Sequence, residues 1–556
     1  MDVQSIVGAA LCATMLAGSA WGQDVPVPSL TQENGRHVLL VDGRPFIILG
    51  GQVTNSSNYV VALPRVWQVA RDLNANTMEV PVAWEQIEPR EGQFDFSYVD
   101  QLLREAREQK LRLVLLWFGT WKGGAGHYTP EWVKTDQRRF PRQIGQSGKP
   151  VSSFSPFGRA TIEADKAAYT HLLRHLRDTD RQRTVIMMQV ENEPGTLDGP
   201  RDFSPAARAA FEQPVADDLA RALGKQPGSW AALFGQAADR SFAAWSLSRA
   251  VGEIAAAGKA VYPLPTMVNA PGTNSPLPGG RSFMLPFASG GPDWQDLAIW
   301  KAMAPAIDIE AANIYSTDPE MYAALLDAYA KPNNPTIVPE TGVGPASARF
   351  FWLALSKGTL GFSPFGVDRP TGSPAPRDAE AMGDPLSASF ALFRPIVSDW
   401  ARLGSKHPVW GGVKVKQDAP LTNTMGRWRV EIAFDPRPRF APPPSPANAA
   451  VPGPPAVPPA MPAAARPIER GGAVVMQSGP DEFYVAGTHA NVTIQLADAE
   501  AKEAGEYLTI EEGTFENGQW KMVRRWNGDE RDHGMDFGAA PALVRVKMHA
   551  ITSPPP

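Results

Sequence analysis

Between residues 36 and 405, short β-rich runs alternate with amphipathic helical stretches, and this alternation constrains the fold more than any other feature of the chain. The strand candidates are 45–52, 77–82, 111–117, 185–190, 261–268, 307–315, 336–340 and 359–364. Segments 63–74, 98–110, 162–177, 230–257, 319–330, 346–356 and 386–403 carry apolar residues three and four apart, the period of a helix with one buried face. Strands separated by helical crossovers run parallel. Eight such units predict a (β/α)8 TIM barrel with enlarged loops. A doubly wound sheet is the alternative, but no Gly-rich phosphate loop follows the first strand.

After Lys406 the pattern changes. Runs at 413–417, 427–434, 474–477, 482–486, 492–496, 507–512, 520–525 and 543–549 are rich in β-formers, with turn signals such as Asn517-Gly518 and Asn527-Gly528 between some of them. This predicts a C-terminal antiparallel β-sandwich over 406–556, following a barrel over 36–405. The stretch 441–466 holds ten prolines in 26 residues. It can continue neither a helix nor a central strand, so it reads as an extended insertion between strands.

At the N-terminus, Ile6 to Ala20 is apolar but too short to span a bilayer, and Ala20-Trp21-Gly22 offers a cleavage site before Gln23. A signal peptide over 1–22 and export to the periplasm or medium are expected. The n-region carries Asp2 and no Lys or Arg. The single cysteine, Cys12, lies inside this run, so the mature chain would have neither disulfides nor a thiolate nucleophile. No other segment reads as a membrane span. The net charge of −5 arises from 53 basic and 58 acidic residues mixed throughout, which argues against nucleic acid as a partner. Oligomeric state is not legible.

Two strand ends carry the chemistry. The run 185–190 leads into Glu191-Asn192-Glu193-Pro194, and 336–339 leads into Glu340. In a (β/α)8 barrel the carboxyl ends of the strands hold the active site, so both glutamates face one mouth from strands four and seven. Retaining glycosidases need two carboxyls about 5–5.5 Å apart, one to protonate the leaving oxygen and one to attack the anomeric carbon. Structural ion-pairing carboxylates are the bland reading.

An Asn-Glu pair ending strand four with a Glu ending strand seven resembles clan A glycoside hydrolases. Trp84-Glu-Gln-Ile-Glu88-Pro-Arg-Glu-Gly92-Gln-Phe-Asp-Phe96 resembles the strand-two segment of β-galactosidase families 35 and 42. Gly50-Gly51-Gln52, Gln189-Val-Glu-Asn-Glu193, Gly479–Gly487 and Trp526–Glu530 are similar to family 35, the last two to the β-domain of its bacterial members. The resemblance implies an exo-acting retaining β-galactosidase that takes terminal β-galactosides of oligosaccharides or plant polysaccharide side chains and needs no cofactor. Glu193 would be the acid/base, Glu340 the nucleophile, Asn192 a donor to the sugar 2-hydroxyl, and Tyr315 a hydrogen-bond donor to the nucleophile. Trp84, Trp117 and Trp121 are candidates for the wall on which the sugar stacks, with core packing as the alternative. Glu85 and Glu88 either bind hydroxyls or anchor a loop. The sequence departs from family 35 at Pro81, where a Tyr is common, and at Leu115-Leu-Trp117-Phe-Gly. Another sugar (a β-glucoside, β-mannoside or arabinoside) and a non-catalytic carbohydrate-binding protein are the alternative functions. His171 and His175 lie four apart on a helix, but a metallohydrolase glutamate is missing, so no metal is expected.

Overall fold

The computed structural model describes residues 25–272, 274–280, 289–369, 383–415, 419–434, 470–498 and 503–552. The segment 1–22 expected to be a signal peptide, with Cys12, and the Pro-rich stretch 441–466 lie outside these residues.

The described chain opens with a three-stranded antiparallel meander, β1 (Ser29–Glu33), β2 (Arg36–Val41) and β3 (Arg44–Phe46). Its turns are Asn34-Gly35 and Asp42-Gly43, whose positive φ angles match the twist of tight hairpins. Leu39 and Val41 of the meander pack with Ile48, Val114, Leu116, Ile186, Met267, Ile309, Ile337 and Leu360 from inside the barrel. The meander therefore plugs the amino-terminal end of the barrel, leaving the opposite end for the site.

The barrel strands are β4 (Ile48–Gln52), β5 (Thr77–Ala83), β6 (Arg112–Lys122), then, after a hairpin of β7 (Arg142–Ile144) and β8 (Pro150–Phe154), β9 (Val185–Asn192), β10 (Thr266–Pro271), β11 (Ile309–Ile314), β12 (Val338–Thr341) and β13 (Gly361–Pro364). They pair in parallel in that order, and β13 pairs with β4 to close the ring. Alternate residues serve two cores. On β6, Val114, Leu116 and Phe118 fill the interior, while Leu113, Leu115 and Trp117 face the surrounding helices.

All eight predicted strands are present, but several boundaries move. Helix Ala238–Val261 occupies the start of the fifth predicted strand, which begins instead at Thr266. The predicted helix 230–257 divides at Gly235, whose φ of 55° cannot continue a helix. That over 386–403 is interrupted by a 3-10 turn at Arg394–Ile396, where Pro395 removes a backbone donor.

Downstream, two antiparallel sheets face each other. One has six strands, β14 (Val409–Val413), β17 (Gly472–Gly479), β18 (Glu482–Thr488), β23 (Ala542–Thr552), β20 (Glu503–Glu516) and β21 (Gln519–Trp526), in that spatial order. The other has four: β15 (Leu421–Met425), β16 (Trp428–Phe434), β19 (Ala490–Leu496) and β22 (Met535–Phe537). Trp428, Val430, Val475, Val485, Val492 and Val544 share the core between them. The sequence reading missed β15 and β22, which are short, and placed β14 at 413–417 instead of Val409–Val413.

The outer face of the six-stranded sheet is also apolar. Val474, Met476, Ala486 and Leu543 join the core around the barrel, and Gly472 lies against the ring of Trp352 on helix Phe350–Ser356. A Cβ on Gly472 would come within 2.4 Å of that ring, so glycine is what permits the close approach.

Candidate active site

Glu340 sits near the end of β12, at the barrel mouth, and is 5% exposed. Its Oε1 accepts hydrogen bonds from Gln52 Nε2 (3.0 Å), Asn269 Nδ2 (3.1 Å) and Asn192 Nδ2 (3.3 Å). Its Oε2 accepts from the Tyr315 hydroxyl at 2.8 Å. The four donors come from the ends of β4 and β9, from within β10 and from the residue after β11. Three amides and one phenol thus converge on a single carboxyl and fix its orientation at the mouth.

Glu193 follows β9 directly. Its backbone φ of 49° lies in the left-handed region, and Glu191 has φ of 64°. Non-glycine residues reach this region only when surrounding contacts hold them there. Here the backbone N–H of Glu193 donates to Asn269 Oδ1 at 2.9 Å. The loop after β6 adds two bonds, from Gly123 N to Asn192 O (2.9 Å) and from Gly124 N to Glu193 O (3.0 Å). The Glu193 side chain accepts from Asn313 Nδ2 at 2.7 Å. Burial, reinforced by the charge of Glu340, pushes its carboxyl up to about 7, against the opposing pull of Lys122 and Asn313.

The two carboxyls are joined by a short chain of amides. Asn269 Nδ2 donates to Glu340 and also to Asn313 Oδ1 at 3.3 Å, while Asn313 Nδ2 donates to Glu193. One carboxyl is thus surrounded by donors, and its neighbour is biased toward protonation. A carboxyl fixed by donors suits a nucleophile, and one whose proton is retained to about neutral pH suits a general acid.

The structure gathers Glu193, Glu340, Asn192 and Tyr315 at one mouth. Asn192 donates to Glu340 itself. The three tryptophans proposed as a sugar wall lie elsewhere. Trp84 is buried, donates to Glu88 Oε2 at 2.9 Å and packs edge-on to Trp132. Trp117 faces the outer core, 5.6 Å from the Tyr169 ring, and donates to Asp165 Oδ1. Trp121 is buried and donates to Phe154 O. Their side chains pack between strand, helix and hairpin, so the indole faces are covered by protein. Glu85 pairs with Lys134 at 3.1 Å. Glu88 accepts from Trp84 and from Gly92 N, which anchors its loop. His171 and His175 stack on Phe94 and Phe96, with ring centroids 4.0 and 4.2 Å apart.

Sequence reading missed Asn269 and Asn313 as site residues and gave Gln52 no role. The available signal was an amide side chain within an otherwise apolar strand, as in Met267-Val268-Asn269-Ala270.

Residues 65–234 match a glycoside hydrolase family 42 model described as "Beta-galactosidase". This part of the barrel is β-galactosidase-like. The match includes Glu193 and ends before Glu340, and it points to family 42, whereas the sequence motifs had suggested family 35. Residues 386–538 match a model described as a domain of unknown function. A curated β-galactosidase of Xanthomonas manihotis is 29% identical over 182 residues, 31% of this chain and 27% of that protein. Among solved structures, a β-galactosidase from Bacillus circulans sp. alkalophilus aligns at 14% identity and a TM-score of 0.45, over 62% of this chain and 56% of its own. An exo-β-1,4-mannosidase from Opitutaceae bacterium strain TAV5 aligns at 15% identity and a TM-score of 0.36, over 60% and 53%. The chain thus spans about a quarter of the curated relative and little more than half of these structures.

Proposed function

We propose that this protein is a retaining β-glycosidase that removes terminal β-galactose from oligosaccharides or polysaccharide side chains. Glu340 attacks the anomeric carbon while Glu193 donates its proton to the leaving oxygen. Glu193, now a base, activates water, which releases the sugar with net retention. Tyr315 and the amides of Gln52, Asn192 and Asn269 hold the nucleophile for attack. Once a glycosyl ester forms at Glu340, some of these donors are free to turn to sugar hydroxyls.

The observation that carries this reading is the contrast between the two carboxyls at one barrel mouth. Glu340 accepts from four donors, whereas Glu193 is held up to about 7. The match of 65–234 to a β-galactosidase model supports galactose as the sugar.

A panel of nitrophenyl glycosides with NMR detection of the first-formed anomer tests the proposal. Turnover of the β-galactoside with the β-anomer appearing first is expected. First appearance of the α-anomer would exclude double displacement. Activity on a glucoside, mannoside or arabinoside without galactoside turnover would overturn the sugar assignment.

A further inference from the structure

Behind the acid/base, on the side of β6 and β9 that faces the helices, lie two carboxyls to which the proposed reaction assigns no role. Asp165, on helix Arg159–Thr179, and Glu191, on β9, are both fully buried. Asp165 Oδ2 and Glu191 Oε1 accept from the same amide, Thr120 N, at 2.8 and 3.2 Å. A Cβ on Gly119 would meet those same two oxygens at 2.5 and 2.7 Å. The remaining donors are Trp117 Nε1 (2.8 Å) and Thr120 Oγ1 (2.5 Å) on Asp165, and Trp121 N (2.7 Å) on Glu191. Among the described residues, no Lys, Arg or His forms an ion pair or hydrogen bond with either carboxyl. Tyr169, one turn along the same helix, is the titratable group facing them, and burial together with these two acids holds its phenol protonated. Helix Ala238–Val261, packed on the other side of Tyr169, brings Gly258 against that ring and no charge against the pair.

Two buried carboxylates with facing oxygens and no cation cannot both be ionised. We propose that Glu191 and Asp165 share one proton in a carboxyl–carboxylate pair, and that this pair is a positioning device for Glu193. Glu191 carries the proton on Oε1 and donates it to Asp165 Oδ2, and its Oε2 accepts from Trp121 N. Asp165 stays ionised, served by Trp117 and Thr120. The pair ties the end of β6 to the end of β9, and the left-handed turn at Glu191 sends its own side chain outward while that of Glu193 goes to the mouth. The direction of titration agrees: burial and the neighbouring Asp165 hold the Glu191 carboxyl far above its ordinary range. The positioning half of the proposal rests on Glu193 being the acid/base; the proton-sharing half does not.

Gln is isosteric with the protonated form of Glu191, so Glu191→Gln preserves the donor to Asp165 and the acceptor for Trp121 and removes the titration; it loses only the longer bond from Thr120 N, which keeps Asp165 as its acceptor. The folded protein retains a proton that the unfolded chain loses above its ordinary glutamate pKa, so the pair makes wild type less stable as pH rises. The folding equilibrium of Glu191→Gln relative to wild type should therefore improve by up to about tenfold per pH unit as pH rises above the ordinary glutamate range. Paired thermal or urea unfolding across that range reads the difference, and contributions from all other groups cancel. A flat or falling difference, or failure of Glu191→Gln to fold, overturns the shared proton. Kinetics test positioning. Near pH 6, Glu191→Gln should keep kcat within about threefold and leave the alkaline limb set by Glu193 in place, while Glu191→Ala loses at least tenfold in kcat. Equal losses in both variants would refute the positioning role. A wild-type protein inactive on every glycoside would remove the proposed function and leave the unfolding comparison as the test of the pair.

Discussion

Glu193 and Glu340 share one mouth but are surrounded differently, and their predicted phenotypes differ accordingly. Glu340→Ala should lose several orders of magnitude in kcat on every substrate, since it removes the proposed nucleophile. Glu193→Ala should be far less damaging for nitrophenyl leaving groups than for sugar leaving groups, because an acidic phenol departs without a proton. Equal losses on both would rule out the acid role. In the proposed reaction Glu193 must start protonated, so kcat/KM should fall as pH rises through about 7. Lys122 draws that carboxyl down, so Lys122→Met should move this alkaline limb to higher pH; a shift the other way, read from kcat/KM profiles, would contradict the assignment. Tyr315→Phe removes one donor to a charged acceptor, an effect of about 1.5–3 kcal/mol, and should lower kcat more than it changes KM.

Strand ends, as elements, decide which side chains reach the mouth. Asn192, Asn269, Asn313 and Gln52 lie on or end barrel strands, and together they link the dyad. The tryptophans of 84–121 show the opposite outcome. Their positions near strand ends suited a sugar wall, but alternation along β6 and the turn after β5 carry the indoles into the layer between strands and helices. Trp117→Ala should accordingly act on stability, by about 3–5 kcal/mol as a large-to-small core change, with its effect on Tm exceeding any specific effect on KM. A selective rise in KM with unchanged Tm would restore the sugar-wall reading.

For the whole molecule, the barrel and the C-terminal sheets are joined through an apolar interface centred on helix Phe350–Ser356 and β17. Gly472 lies where any side chain would strike Trp352. Gly472→Val should therefore cost about 1–3 kcal/mol of stability through overpacking and lower Tm, with little change in the pH profile of activity. Ending the chain at 405 would expose Trp352 and its neighbours to water, so the truncated barrel should aggregate where the full chain does not; light scattering reads this directly.

Sequence alone determined the succession of the barrel strands and most of their helices, though not the short strands β1, β2, β7, β8, β15 and β22, because hydrophobic period is a local property that survives without knowledge of neighbours. It also put a glutamate at each of two strand ends, since a carboxyl closing an apolar strand stands out against its surroundings. The side to which a residue turns past a strand end was not legible. Glu191 and Glu193 lie two apart, as if on one face, yet left-handed backbone at both sends one toward a helix and the other toward the mouth. Nor could the sequence show that Asn269 and Asn313 complete the link between the glutamates, or that Asp165 meets Glu191, because these contacts join residues brought together only by closure of the ring. Tertiary structure decided them through desolvation and hydrogen-bond geometry, which depend on three-dimensional distance and leave no trace in spacing along the chain.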